Sequence, residues 1–212
     1  MLGIGGIYLL ILVVDVVCGP LLTLVLASPK KSMRELTLDL GLVALIQIAA
    51  LVYGMHAVWI ARPAVLAFEK DRLMVVTANE VDISELEQAP EGMRQLPFSG
   101  VLKVATRSAT SGMELVESID KGMAGISPAM LPSWWLPMQA QYDAMRARTK
   151  PLTELIARRP EHAELLKKAA AATSIPMEQL TYLPLTATKT KDWIALLNVS
   201  LTVVGFAPVD GF

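Results

Sequence analysis

The sequence has a single cysteine, Cys18, and only two histidines, His56 and His162, in 212 residues. One thiol closes no disulfide within the chain, so the redox state of its compartment is not written in it. With so few soft ligands, no His, Cys, Asp and Glu cluster stands at metal-ligand spacing. A nucleophile-elbow serine and a glycine-rich phosphate loop are also missing. Positive charge has no excess either: 19 Lys and Arg face 20 Asp and Glu, a net charge of -1, which argues against nucleic acid as a partner, since phosphate binding needs a basic face. Charge of any sign is scarce, at 18% of residues against 53% hydrophobic, with a mean hydropathy of +0.47. That balance does not suit an ordinary soluble domain, and membrane lipid is the expected surrounding of part of the chain.

What is present is unevenly distributed. Gly3–Leu26 carries Asp15 as its only charged residue, and Leu40–Ile60 carries no acid, Lys or Arg and only His56. A hydrocarbon core of about 30 Å needs roughly 20 apolar residues in a helix, so both runs are long enough to span it. The first is read as a retained span, because its start has no basic residue and no signal-peptide pattern. The connection, over 29–39, holds Lys30, Lys31 and Arg34, and short basic loops stay on the cytoplasmic side. A hairpin over 1–60 with a cytoplasmic turn follows, and residues 61–212 are expected in the periplasm of a Gram-negative host, outside its inner membrane.

That second part reads as a small α+β domain with a mostly antiparallel sheet. Val65–Phe68 and Leu73–Thr77 form a hairpin around the polar turn Glu69–Asp71, and "GVLKVATR" supplies a third strand. Ser84 and Glu87 have capping-box spacing for a short helix, and "GISPAMLPSWWLPM" reads as irregular loop. Helices follow on either side of Pro151 and from Pro160. The tail from Leu180 holds two or three strands, with Trp193–Val209 a buried pair rather than a further span.

Few residues stand out as functional. His162 sits in a charged helical stretch and reads as solvated. Glu114, Glu117 and Asp120, three apart on a presumed helix, read as a wet face. Catalysis therefore has no visible seat, and the chain reads as no enzyme, without cofactor or metal. Trp134 and Trp135 are either an aromatic anchor for a partner or plugs of the fold. Asp15 is the sharper signal, since a carboxylate at membrane depth normally faces protein or water. It lies roughly 16 Å from the cytoplasmic end and Gln47 roughly 10 Å, within reach of one another on antiparallel helices. An internal Asp15–Gln47 clamp and a handle for another protein's helix both stand open. Gly19 and Pro20 add a kinked, small-residue surface beside that acid.

The stretch "DVVCGPLLTLVLASPKKSMRELTLDLGLVALIQIAALVYG", continuing into "ARPAVLAFEKDRLMVVTANEV", resembles type IV pilin accessory proteins of the TfpX/TfpZ group. Their order is Asp-x-x-x-Gly-Pro-Leu-Leu-Thr, a Lys-Lys turn, a second helix, then Arg-Pro-x-x-x-x-Phe-x-x-Asp-Arg. The likeness continues, more thinly, in "QYDAMRARTKPLTELIARRPE" and "YLPLTATKTKDW". Two features depart from the group: its members usually begin with a further membrane helix ahead of this stretch, and the ending "VDGF" differs from their tryptophan-containing close. The implied function is an inner-membrane accessory factor or chaperone for a cognate major type IV pilin. Asp15, Gly19, Pro20 and Gln47 are then the helix-docking side, with Trp134 and Trp135 as periplasmic contacts. A sensor or ligand-binding module on a membrane hairpin is the competing reading.

Overall fold

The computed structural model describes residues 32–212. These divide into two compact units at Arg62/Pro63, each described here by itself.

The first unit is helix α1, Met33–Ile60. Ser32 and Glu35 start it as a capping box: Ser32 Oγ accepts from the Glu35 N–H (3.3 Å), and Glu35 Oε2 accepts from the Ser32 N–H (3.0 Å). Within the connection expected over 29–39, this cap turns the chain helical from Met33. Its 28 residues reach about 42 Å, and its length and composition suffice to cross a membrane. An apolar helix near a chain's start is compatible with an anchor or a signal sequence. The other expected span, 3–26, lies outside the described residues.

The second unit is an α+β domain. Its strands are β1 (Pro63–Glu69), β2 (Arg72–Thr77), β3 (Leu102–Thr106), β4 (Trp135–Pro137), β5 (Lys150–Pro151), β6 (Thr181–Ala187), β7 (Thr190–Leu197) and β8 (Val203–Ala207). They form one sheet in the order β4-β3-β1-β2-β6-β7-β8, with β5 beside the start of β6. Two pairings are parallel, β1 with β3 and β2 with β6; the others are antiparallel. The hairpin β1–β2 turns at Lys70, whose φ of 58° is the left-handed region a lysine rarely adopts.

Strand β1 is buried over five consecutive residues, Ala64–Phe68, because both sheet faces are covered. Leu66 and Phe68 join Leu73, Leu183, Leu185, Ala195 and Leu197 on one face, closed by Met138 and Met145. On the other face Val65, Ala67 and Val104 meet Ala129, Met130 and Trp135. Further along that sheet Tyr182, Ile194 and Leu196 pack against Leu152, Leu155, Leu166 and Ala170. Those last four come from α4 (Leu152–Arg158) and α5 (Ala163–Ala171), whose fully buried leucines each contribute about 1.5–3 kcal/mol. Helix α3 (Tyr142–Arg148) supplies Met145.

Pro184 sits inside β6, where a missing N–H normally breaks a ladder. On one side of β6, β5 pairs only as far as Tyr182 and β2 only from Leu185, so Pro184 falls in the gap between them. Gly211 is folded onto the same place: a Cβ there would stand 2.7 Å from Ile194 Cγ2 and 3.1 Å from Pro184 Cα.

Two sequence expectations change here. The short helix near Ser84 is a 3-10 turn, Ile83–Gln88, capped by Asp82, whose Oδ1 accepts from the Ser84 N–H and hydroxyl. The segment read as irregular loop forms two 3-10 turns, Pro128–Met130 and Pro132–Trp134, and then β4. Proline at the first turn position is compatible with both loop and 3-10 helix, so its presence could not separate them.

Candidate functional site: a displayed helix and the groove beside it

Between β3 and β4 the chain makes helix α2, Gly112–Met123, none of whose residues is buried. Both ends are built by local chemistry. Ser111 Oγ accepts from the Glu114 N–H (3.1 Å) at the start. At the end the Ile126 N–H donates to Lys121 O (2.9 Å) and the Gly125 N–H to Gly122 O (3.0 Å). This is a Schellman closure, and Gly125 takes the φ of 83° it requires.

The helix is tied to the domain by charge. Arg107, just past β3, donates from Nη2 to Glu114 Oε1 at 2.6 Å, from Nε to Ser133 O at 3.2 Å, and lies 4.5 Å over the Trp134 ring. The other Glu114 oxygen accepts from the Thr110 N–H and hydroxyl. The Arg107 hydrogen bond leads these effects in holding the Glu114 carboxyl down at about 2. One ionised carboxylate thus joins β3, the 132–134 turn and the first turn of α2.

What this clamp holds out is amphipathic. Leu115, Val116, Ile119 and Met123, with Ile126 beyond the cap, are all exposed and recur at the three- and four-residue spacing of one helix face. Glu114, Glu117, Asp120 and Lys121 occupy the other side, where Lys121 pairs with Glu117 at 3.1 Å. Beside the apolar face runs a groove of about 450 Å³. Leu115, Ile119, Gly122 and Ile126 form one wall, and Lys70 and Arg72 of the hairpin with Lys191 of β7 form part of the other. Arg72 is held by Asp71 (3.0 Å) and lies 5.1 Å from the Phe212 ring. Glu69, also in the lining, accepts from the Ser127 hydroxyl and the Ala129 N–H and so fixes the loop after α2.

The residues singled out from sequence fall elsewhere. Asp15, Gly19, Pro20, Lys30 and Lys31 lie outside the described residues. Gln47 sits half-exposed in the middle of α1, and Arg34 is exposed in its first turn. Trp134 and Trp135 are 7% and 2% exposed, so of the two readings the structure supports plugs of the fold. Trp135 donates its indole N–H to Ala129 O (2.9 Å) inside the core, and Trp134 is the platform for Arg107. The helix presumed under Glu114, Glu117 and Asp120 is α2; what the sequence reading passed over is its apolar stripe and its cap at Ser111, three residues before Glu114, the signal applied instead to Ser84.

No family model and no solved structure matches this chain. All 212 residues align, at 29% identity, with the fimbrial assembly protein, serogroup I, of Dichelobacter nodosus, covering 82% of that protein. The serogroup E1 protein of the same organism matches to the same extent. The protein of serogroups C1 and C2 is 39% identical over 82 residues, 39% of this chain and 63% of that one. Along its whole length, then, the chain is similar to proteins named for fimbrial assembly, which supports a family related to pilus assembly.

Proposed function

We propose that this chain is an accessory factor of type IV pilus assembly, of the TfpX/TfpZ kind, acting as a non-catalytic chaperone for a cognate major pilin. The observation that carries the reading is the alignment of the entire chain, apolar runs and domain together, with fimbrial assembly proteins. Two features support it. Helix α1 is long and apolar enough for a bilayer, and α2 presents an apolar face with no residue buried. In this account 3–26 and 40–60 form a hairpin in the inner membrane, Lys30, Lys31 and Arg34 hold its turn in the cytoplasm, and the α+β domain lies in the periplasm. Asp15, Gly19, Pro20 and Gln47 then offer a polar, close-approach surface to the pilin's membrane segment.

The test is purification of a tagged full chain from its native membrane in mild detergent, with pilin quantified in the eluate. Pilin recovered in stoichiometric amount, and reduced by Asp15→Asn with Gly19→Leu at equal protein level, is the expected result. Recovery without pilin, from cells shown to express it, overturns the reading.

A further inference from the structure

We infer that the groove between α2 and the β1–β2 hairpin is a docking site for an amphipathic helix of a partner protein, one whose apolar stripe is flanked by carboxylates. This deepens the function proposed above by giving the partner's docked segment a chemistry.

The inference begins with a mismatch. An amphipathic helix normally turns its apolar side inward, yet α2 leaves Leu115 and Ile119 more than half exposed, at 52% and 54%. The helix is not loosely attached, since the Arg107–Glu114 pair fixes its first turn and the Schellman closure its last. A rigid, displayed apolar face is the receiving half of helix-in-groove recognition.

The charges choose the occupant. Lys70 and Lys191 are exposed on the wall opposite α2, and neither has an ion pair among the described residues. A docked helix bearing Asp or Glu beside its apolar stripe would pair with them while laying that stripe on Leu115, Ile119 and Ile126. A lipid surface fits worse: three of the four charged residues on the polar side of α2, Glu114, Glu117 and Asp120, are acids, whereas interfacial helices carry Lys and Arg there to meet anionic headgroups. The α2 backbone is also bare where a partner would approach, for a Cβ added at Gly122 has nothing within 4 Å.

The experiment places a photoreactive benzophenone residue at Met123, on the same face but outside the groove lining, in the full chain expressed with pilin in its own cells. The crosslinked peptide is sequenced. Expected is a single helical segment of pilin with an apolar stripe flanked by Asp or Glu. Ile119→Asp and Gly122→Trp should each reduce that product about tenfold or more. Lys191→Glu and Lys70→Asn should each reduce it about two- to fivefold, the range of a surface ion pair. Asparagine accepts the left-handed backbone at position 70, and Gly122→Trp meets open space, so loss of product would not reflect loss of fold. Crosslinks only to lipid or only to a second copy of this chain, or a product unchanged in Ile119→Asp and Gly122→Trp, overturn the inference. The two proposals separate cleanly. Pilin that co-purifies equally with Gly122→Trp removes the docking site and leaves the function. No pilin in the eluate, with crosslinks to an acid-flanked helix of another sequenced protein, removes the function and leaves the site.

Discussion

Glu114 shows how one side chain can set the position of an element. Its carboxyl is held down at about 2 against 4.5 ordinarily, so the ionised form is favoured in the folded chain. A depressed carboxylate contributes stability that is fully present above about 4.5 and is lost as pH falls from there through about 2. The amide protection factors across Gly112–Met123, taken relative to intrinsic rates at each pH, should therefore fall below about 4.5, ahead of those of the strands, and Glu114→Gln should show the lower protection already at neutral pH. Equal protection of α2 in Glu114→Gln and the parent would rule the clamp out. Gly211 is constrained by packing rather than charge. With Ile194 Cγ2 2.7 Å and Pro184 Cα 3.1 Å from a would-be Cβ, Gly211→Ala should lower stability by about 1–3 kcal/mol in denaturant melts of the full chain. Trp135→Phe should cost about 1–3 kcal/mol, since it leaves the buried Ala129 carbonyl without its donor.

Within the α+β domain, burial separates the helices that hold the fold, α4 and α5, from α2, whose apolar face is displayed. Leu152→Ala and Leu155→Ala, at fully buried positions under the sheet, should each cost about 2–5 kcal/mol. Leu115→Ser and Ile119→Ser on α2 should stay within about 0.5 kcal/mol, because little surface is removed from water there. A large loss from the α2 pair, by the same melts, would mean that its apolar face is covered within the chain. The same contrast explains what the sequence could reveal. The β1–β2 hairpin, the breaks at Pro151 and Pro160 and the terminal strands were readable because a polar turn, proline and β-branched runs act locally. Tertiary context decided the rest. Nothing near Trp134 and Trp135 says that one will carry Arg107 and the other bond Ala129. Asp82 rather than Ser84 caps its turn because its carboxylate reaches both the N–H and hydroxyl two residues on. The α2 groove needs residues about 70 apart in sequence, Lys191 and Ile119, which no local pattern joins.

For the whole molecule, an apolar helix, an α+β domain with one displayed helix face, and full-length similarity to fimbrial assembly proteins point the same way. Cysteines introduced singly at Val199 and Met123, both exposed, should react with a membrane-impermeant maleimide in intact spheroplasts, as periplasmic placement requires; Cys18 is replaced by serine for the purpose. Labelling that appears only after lysis would put the domain on the other side. The central claim concerns pilus assembly. Its most direct measurement is the amount of pilin in sheared surface pili relative to total cell pilin, in a strain lacking this chain and in one with it restored. The account predicts that surface pili fall strongly without the chain and recover with the wild type, but not with the Asp15→Asn, Gly19→Leu double variant. Surface and total pilin unchanged on removal would contradict it.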